Sequence, residues 1–239
     1  MRICEVSPYG LTDVSGVASV VLELARGFAG RGNHVTVAAP GPVPRDLPPG
    51  VASQQFEAQG PFRNVSVSLQ VARWLWRHRT DWEILHVHQG HLITLTAATM
   101  FRMFGRPVVT TFHLLPPEPK GIRRFIQRWT VRNTARISTA RVYVSEHTKG
   151  ELQGDGIVIR NGVDLPRIRS LLGSRDTLRR ELGLNGCVVL FSGRIAFVKG
   201  YPDLLRAIRM VRDMGCDVSL LVTGLTPADE RERMARLVR

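Results

Sequence analysis

The sequence predicts an α/β protein built on a parallel sheet, and three observations carry that expectation. Short apolar, β-branched runs alternate with longer segments of helical periodicity, the pattern of parallel strands joined by crossover helices. Several runs read as continuous apolar stretches, as strands buried on both faces do. The chain of 239 residues is long enough for one domain of about 150 residues and part of a second.

The elements follow in order. "RICEVSP" is the first strand, and a loop with Gly10 and Gly16 leads into a helix from about Gly16 to Arg31. Val17, Val20, Val21, Leu24, Ala25 and Phe28 recur there at helical spacing, and Gly30 and Gly32 stop it. A glycine at such a turn lets a phosphate approach the helix N-terminus. A tight turn explains it equally well, since neither a GxGxxG fingerprint nor a P-loop is present. "HVTVAAP" is the next strand, and the proline-rich Pro40 to Gly50 reads as a surface loop.

"EILHVH" ends in His86 and His88, two apart and so on one face, with His91 close behind. Imidazoles at short spacing ligate metals, but no cysteine and no acid at ligand spacing lies in the stretch, so no metal is expected. "PVVTTFH" sets His113 at the carboxyl end of a strand. There it either points into a ligand crevice as a hydrogen-bonding or acid–base group, or serves as a structural cap.

From Lys120 to Val142 there are seven basic residues and no acidic one. Arg124, Arg128, Arg132 and Arg136 recur every fourth position, beside Ile122, Phe125, Ile126 and Trp129. Two readings stand: an amphipathic helix lying on an anionic membrane surface, or a solvated basic helix whose apolar side packs into its own domain. "ARVYVS" and "GIVIRN" are further strands. "RNGVDLPRI" then marks a boundary, with Asn161 and Gly162 suited to left-handed backbone and Asp164 to a helix cap, giving domains at 1–163 and 164–239.

In the second domain "SRDTLRRELGL" is a helix that Ser174 can cap and Gly183 can end. "CVVLFSG" follows, then a loop with Arg194 and Lys199, then "YPDLLRAIRMVRDMG", a helix with Pro202 in its first turn. Two cations at a helix N-terminus make a diphosphate clamp, although an ordinary exposed loop carries such residues too.

The formal charge of +13 favours anionic partners: phosphorylated ligands, acidic lipids or nucleic acid. No nucleic-acid-binding module is recognisable, so no nucleic acid is expected. Cys4, Cys187 and Cys216 are distant from one another and read as small buried hydrophobes. No apolar run reaches 18 residues and "MRICEVSPYG" is not a signal peptide, which points to a cytoplasmic protein.

Together, "SGVASVVLELARGFAGRGNHVTV", "LHVHQG", "TTFH", "VSEHTKGEL", "VIRNGVD", "FSGRIAFVKGYPDLLRAI" and "SLLVTG" resemble the family 4 glycosyltransferases of the GT-B class. The resemblance runs from the first strand to the end of the chain. It implies two Rossmann-like domains facing across a cleft, an acceptor held by the first and a nucleotide-diphosphate sugar by the second. Transfer would retain the anomeric configuration, with no divalent metal and no cofactor beyond the donor substrate.

Residue by residue, Arg194 and Lys199 match the pair that neutralises the donor diphosphate, and Gly16 the loop glycine near that phosphate. His113 matches the histidine near the transferred sugar, and Asn161 the hinge asparagine; His88 is a secondary candidate. Two departures stand out. Ser15 precedes Gly16 where the family carries paired glycines, and the family's pair of glutamates, seven residues apart in the second domain, has no counterpart before the last glutamate, Glu232. The chain is therefore expected to hold an incomplete second domain. A non-catalytic remnant acting through protein or membrane-surface contacts is the alternative to a transferase whose acceptor is unknown, with a lipid-linked one the candidate.

Overall fold

In a computed structural model the described residues are 1–12, 15–44, 46–58, 60–113, 122–193, 195 and 199–224, with 122–124 described by backbone only. They divide into two compact units, Met1–Asn161 and Gly162–Arg239.

The first unit is a seven-stranded sheet in which every pairing is parallel, ordered β3-β2-β1-β4-β5-β6-β7. Its strands are β1 (Arg2–Val6), β2 (His34–Pro40), β3 (Val51–Phe56), β4 (Ile84–His88), β5 (Val108–Phe112), β6 (Ala140–Tyr143) and β7 (Ile157–Val158). Helices α1 (Gly16–Ala29), α2 (Arg63–Arg77), α3 (Leu92–Met103), α4 (Ile122–Ile137) and α5 (Glu146–Glu151) connect them.

Strand alternation divides the core. Cys4, Val6, Leu85, Val87 and Val108 pack with Val67, Val71 and Leu75 of α2 and Ile93, Ala97 and Phe101 of α3. Val35, Val37 and Ala39 pack with Val17, Val21 and Ala25 of α1. Full burial of each such Val, Leu or Phe contributes about 1.5–3 kcal/mol. The chain runs outward from β1 to β3 and returns to β4, so the direction of winding reverses between β1 and β4. In open α/β sheets, ligands bind outside the strands' carboxyl ends at such a switch.

Four elements of this unit, β3, α2, α3 and α5, go beyond the sequence expectation, and two of them show why. "VASQQF" forms the edge strand β3, mostly exposed and too polar to announce itself. The segment from Arg63 forms α2, whose inward stripe is only Val67, Ser68, Val71 and Leu75.

The second unit holds α6 (Leu165–Ser170), a single 3₁₀ turn (Leu172–Ser174), α7 (Arg175–Glu181), β8 (Cys187–Ser192), α8 (Tyr201–Asp213) and β9 (Val218–Thr223). β8 and β9 pair in parallel, Cys187 opposite Val218, through the crossover helix α8. Among the described residues this sheet has two strands.

Four local expectations are settled here. Asp164 caps α6, its carboxylate accepting from Arg167 N at 3.0 Å. Ser174 makes no cap bond, because it sits in helical backbone at the end of the 3₁₀ turn, and Gly183 at φ +62° does follow α7. Asn161 and Gly162 are absent from the described residues with positive φ, so the left-handed hinge turn is not formed. Of the cysteines only Cys4 is buried; Cys187 and Cys216 are exposed on the small second unit.

Candidate functional site at the carboxyl edge of the sheet

β1, β4 and β5 are neighbours, so the segments that follow them emerge side by side. After β1 the chain reaches α1 through Ser15, whose hydroxyl accepts from Ala18 N at 3.1 Å and so caps the helix. That bond accounts for a serine where paired glycines were expected. Gly16 is the first helical residue and is exposed, and a Cβ there would meet nothing within 4 Å. The site it offers is a capped helix N-terminus with open space above it, favourable to negative charge.

β4 and β5 contribute the histidines. Glu5 and His86 are partners in the β1–β4 register, and the next residue on that face of β4 is His88. Glu5 and His88 are completely buried, and His86 and His113 nearly so. His86 Nδ1 lies 3.3 Å from Glu5 Oε1, and its Nε2 lies 2.8 Å from Thr111 Oγ1. His88 Nδ1 lies 3.0 Å from His113 Nε2, with the two rings stacked at 5.3 Å. Burial first, then the neighbouring His86 and His113, hold the His88 imidazole well below its ordinary pKa. Burial, with His86 second, lowers His113 to about 4. Both rings are thus neutral near pH 7.

Gln89 ties this edge together. Its backbone lies at φ +68°, its N–H donates to Thr111 O at 2.7 Å, and its Oε1 accepts from His113 N at 3.0 Å. At Gly90 a Cβ would sit 2.5 Å from Val131 Cα, so only glycine permits α4 to approach this closely. His91 is not part of the cluster. It caps α3, with Nδ1 accepting from Ile93 N at 3.4 Å and its own N–H donating to Thr94 Oγ1 at 2.9 Å.

The trio that brings ligand atoms together is Glu5, His86 and His88, all within 4.8 Å of one another. Sequence reasoning missed Glu5, Gln89 and Thr111. The available signal was a glutamate inside the apolar strand "RICEVSP", since a buried carboxylate needs partners.

The remaining candidates lie elsewhere. Lys199 and Asn161 are exposed, and Arg194 lies outside the described residues. Lys199 immediately precedes Gly200, the left-handed residue (φ +75°) at the N-terminus of α8. A cleft of about 480 Å³ in the second unit is lined by Asp176, Arg179, Arg180 and residues 183–186, none of them a predicted site residue.

On α4 the buried residues are Thr130, Val131 and Thr134, while Phe125, Ile126 and Trp129 are exposed beside Arg128 and Arg132. Phe125, Ile126 and Trp129 therefore face outward, against the reading in which the helix's apolar side packs into its own domain. α2 has a second such surface: Val65, Leu69 and Trp76 are exposed, with Phe62 just before the helix and Arg63, Arg73 and Arg77 also exposed. The Arg79 guanidinium lies over the Trp76 ring at 5.7 Å. No helix among the described residues is long and apolar enough to cross a membrane.

Comparison with known proteins gives a consistent picture. The family model described as Glycosyltransferase Family 4 matches residues 14–167. The phosphatidyl-myo-inositol mannosyltransferase of Mycobacterium leprae is 31% identical, over 94% of this chain and 61% of its own length. The D-inositol 3-phosphate glycosyltransferase of Frankia alni is 27% identical, over 82% of this chain and 55% of its own. The chain thus spans about three-fifths of the length of the curated relatives it matches. Among solved structures, Anabaena Alr3699/HepE, determined with UDP and glucose, superposes with a TM-score of 0.68 at 16% identity, covering 99% of this chain and 64% of its own. A glycosyltransferase from Rickettsia africae gives 0.69 at 17% identity, over 99% and 63%. At those identities the likeness speaks to the fold, an α/β GT-B architecture with part of a second domain.

Proposed function

The chain belongs to glycosyltransferase family 4, and from that premise we propose that it carries the acceptor side and part of the donor side of a retaining transferase. That enzyme moves a sugar from a nucleotide-diphosphate donor to an acceptor. The observation that supports the proposal is that the α1 N-terminus at Gly16 and the buried His88–His113 pair both lie at the carboxyl ends of the neighbouring strands β1, β4 and β5.

Breaking the glycosidic bond gathers negative charge on the departing nucleoside diphosphate. Fixed positive ends aimed at that charge lower the barrier without a divalent metal. Arg194 and Lys199 supply full charges for that role. His113, neutral at pH 7, hydrogen-bonds the sugar as a dipole and adds no charge of its own. Asn161, the last residue of the first unit, is the weaker candidate, as a hinge residue without a left-handed turn. The leaving phosphate oxygen takes the acceptor proton in a same-face step, so no carboxylate pair of the glycosidase kind is required.

The exposed apolar and arginine-bearing faces of α2 and α4, the latter with Arg128 and Arg132, favour an acceptor presented at an anionic membrane surface. We place the protein in the cytoplasm, peripheral to the inner face of the membrane. The curated relatives' names point to inositol-based acceptors as the first to try.

The test is a transfer assay in chelator, offering radiolabelled UDP- and GDP-hexoses with detergent-dispersed phosphatidylinositol or soluble inositol phosphates. The proposal expects label in an acceptor product and release of nucleoside diphosphate. No release from any donor, by this chain or by a longer form of it, contradicts the transferase reading.

A further inference from the structure

Gln89 is the first residue beyond β4, and its backbone takes a course that few residues with a side chain follow. Its φ of +68° is left-handed, a state that among the described residues only Gln153 shares without being glycine. Glycine takes such a turn freely and asparagine tolerates it, whereas a longer side chain is strained there and persists only where its surroundings hold it. What glutamine supplies in return is a carbonyl on a long arm.

The register of the sheet shows where that carbonyl goes. His88 and Thr111 are partners in the parallel β4–β5 pair, and Gln89 N–H donates to Thr111 O at 2.7 Å. The next rung of a parallel ladder joins Gln89 O to His113 N–H. The left-handed turn sends Gln89 O elsewhere, to accept from the Thr94 hydroxyl at 2.6 Å in the first turn of α3. Gln89 Oε1 stands in for it, accepting from His113 N–H at 3.0 Å within the buried edge. Chemistry fixes the direction of this bond, because a backbone N–H only donates and the amide oxygen, not its nitrogen, accepts.

We propose that Gln89 is a positioning residue for His113: its side-chain carbonyl replaces the rung that β4 gives up on turning into α3, and so sets where His113 stands at the carboxyl edge. The exchange meets two demands at once. β4 has to leave the sheet after His88 so that α3, capped by His91, can begin, while His113 has to stay in line with β5. One backbone carbonyl cannot serve both, and a side chain can take over the second.

His113 is then held at both ends. Its ring stacks on His88 at 5.3 Å, and its backbone, one residue past the end of β5, rests on Gln89 Oε1. Glycine at position 89 would keep the turn and its two backbone bonds, relieve the strain and lose the arm. The turn itself therefore does not ask for glutamine; His113 does. The consequence for sugar transfer rests on the function proposed above, in which His113 meets the sugar, whereas the hold on His113 is a property of the unliganded chain.

The experiment takes two readings on the full chain. The first is amide hydrogen exchange followed by ¹H–¹⁵N NMR: in Gln89→Gly the His113 N–H should exchange about tenfold faster or more, with Thr111 N–H, deeper in β5, unchanged. The second is the transfer kinetics of the parent, Gln89→Gly, His113→Ala and the double variant. In Gln89→Gly kcat should fall about tenfold or more with donor KM within about threefold, and the double variant should be no slower than His113→Ala alone. A role for Gln89 in stability alone would leave the two losses to multiply. Gln89→Asn also suits the turn but is a methylene too short to reach, and it takes both readings should Gln89→Gly fail to fold. An unchanged His113 exchange rate, a parent-like kcat, or losses that multiply would each overturn the proposal. If the parent transfers no sugar from any donor while His113 exchange responds as expected, the proposed function fails and the hold of Gln89 on His113 stands.

Discussion

His113 makes the clearest residue-scale prediction. Its pKa falls from 6.5 to about 4 on folding, so between those values the unfolded chain binds the proton and the native chain does not. Stability is therefore fully present above pH 6.5 and is lost as pH falls toward 4, by up to about 3 kcal/mol from this group. His88 shifts in the same direction and adds to the loss. Urea midpoints across that range should fall with pH, and His113→Gln should flatten the dependence. Gly90 makes a second prediction, because its missing Cβ lets Val131 approach. Gly90→Ala forces α4 away from the β4 edge and should cost about 1–3 kcal/mol, read from the denaturant midpoint at unchanged slope. At this scale the sequence announced His88 and His113, since a histidine ending an apolar strand stands out. It hid Glu5, because a strand's letters do not show which neighbouring strand supplies the partners for a buried acid.

At the scale of elements, α2 and α4 share one design: a narrow buried stripe and an opposite face carrying exposed aromatics and arginines. Such faces bind anionic bilayers through apolar insertion and charge together. Sedimentation with vesicles containing acidic lipid should weaken at least several-fold when Arg124, Arg128 and Arg132 become glutamine, and again when Trp76 and Leu69 become serine. Equal sedimentation of parent and variants would remove the membrane from the account. The arginine period made α4 legible from sequence. α2 was not, because its core-facing side reads V-S-V-L, and an exposed Trp and Leu blur the apolar stripe that marks a surface helix. β3 was illegible for the converse reason, being a polar edge strand in which only Phe56 is fully buried.

At the scale of the whole molecule, the two units differ in what the sequence could say. The first closes a core on both faces of a seven-stranded sheet, so its fold followed from apolar runs and their alternation with helices. The second exposes Leu171, Leu172, Leu178, Leu182, Leu190, Met210 and Met214, and its placement of Lys199 was visible only as a loop between a strand and a helix. The central proposal is that Arg194 and Lys199 serve the diphosphate of a nucleotide sugar, without a metal. Isothermal titration in chelator, with UDP- and GDP-sugars against the corresponding monophosphates, tests it most directly. The account predicts saturable binding of at least one diphosphate donor, with the monophosphate at least tenfold weaker and Arg194→Ala with Lys199→Ala reducing the donor to the same level. Binding that is absent for every donor, or indifferent to the second phosphate and to those two substitutions, would contradict it.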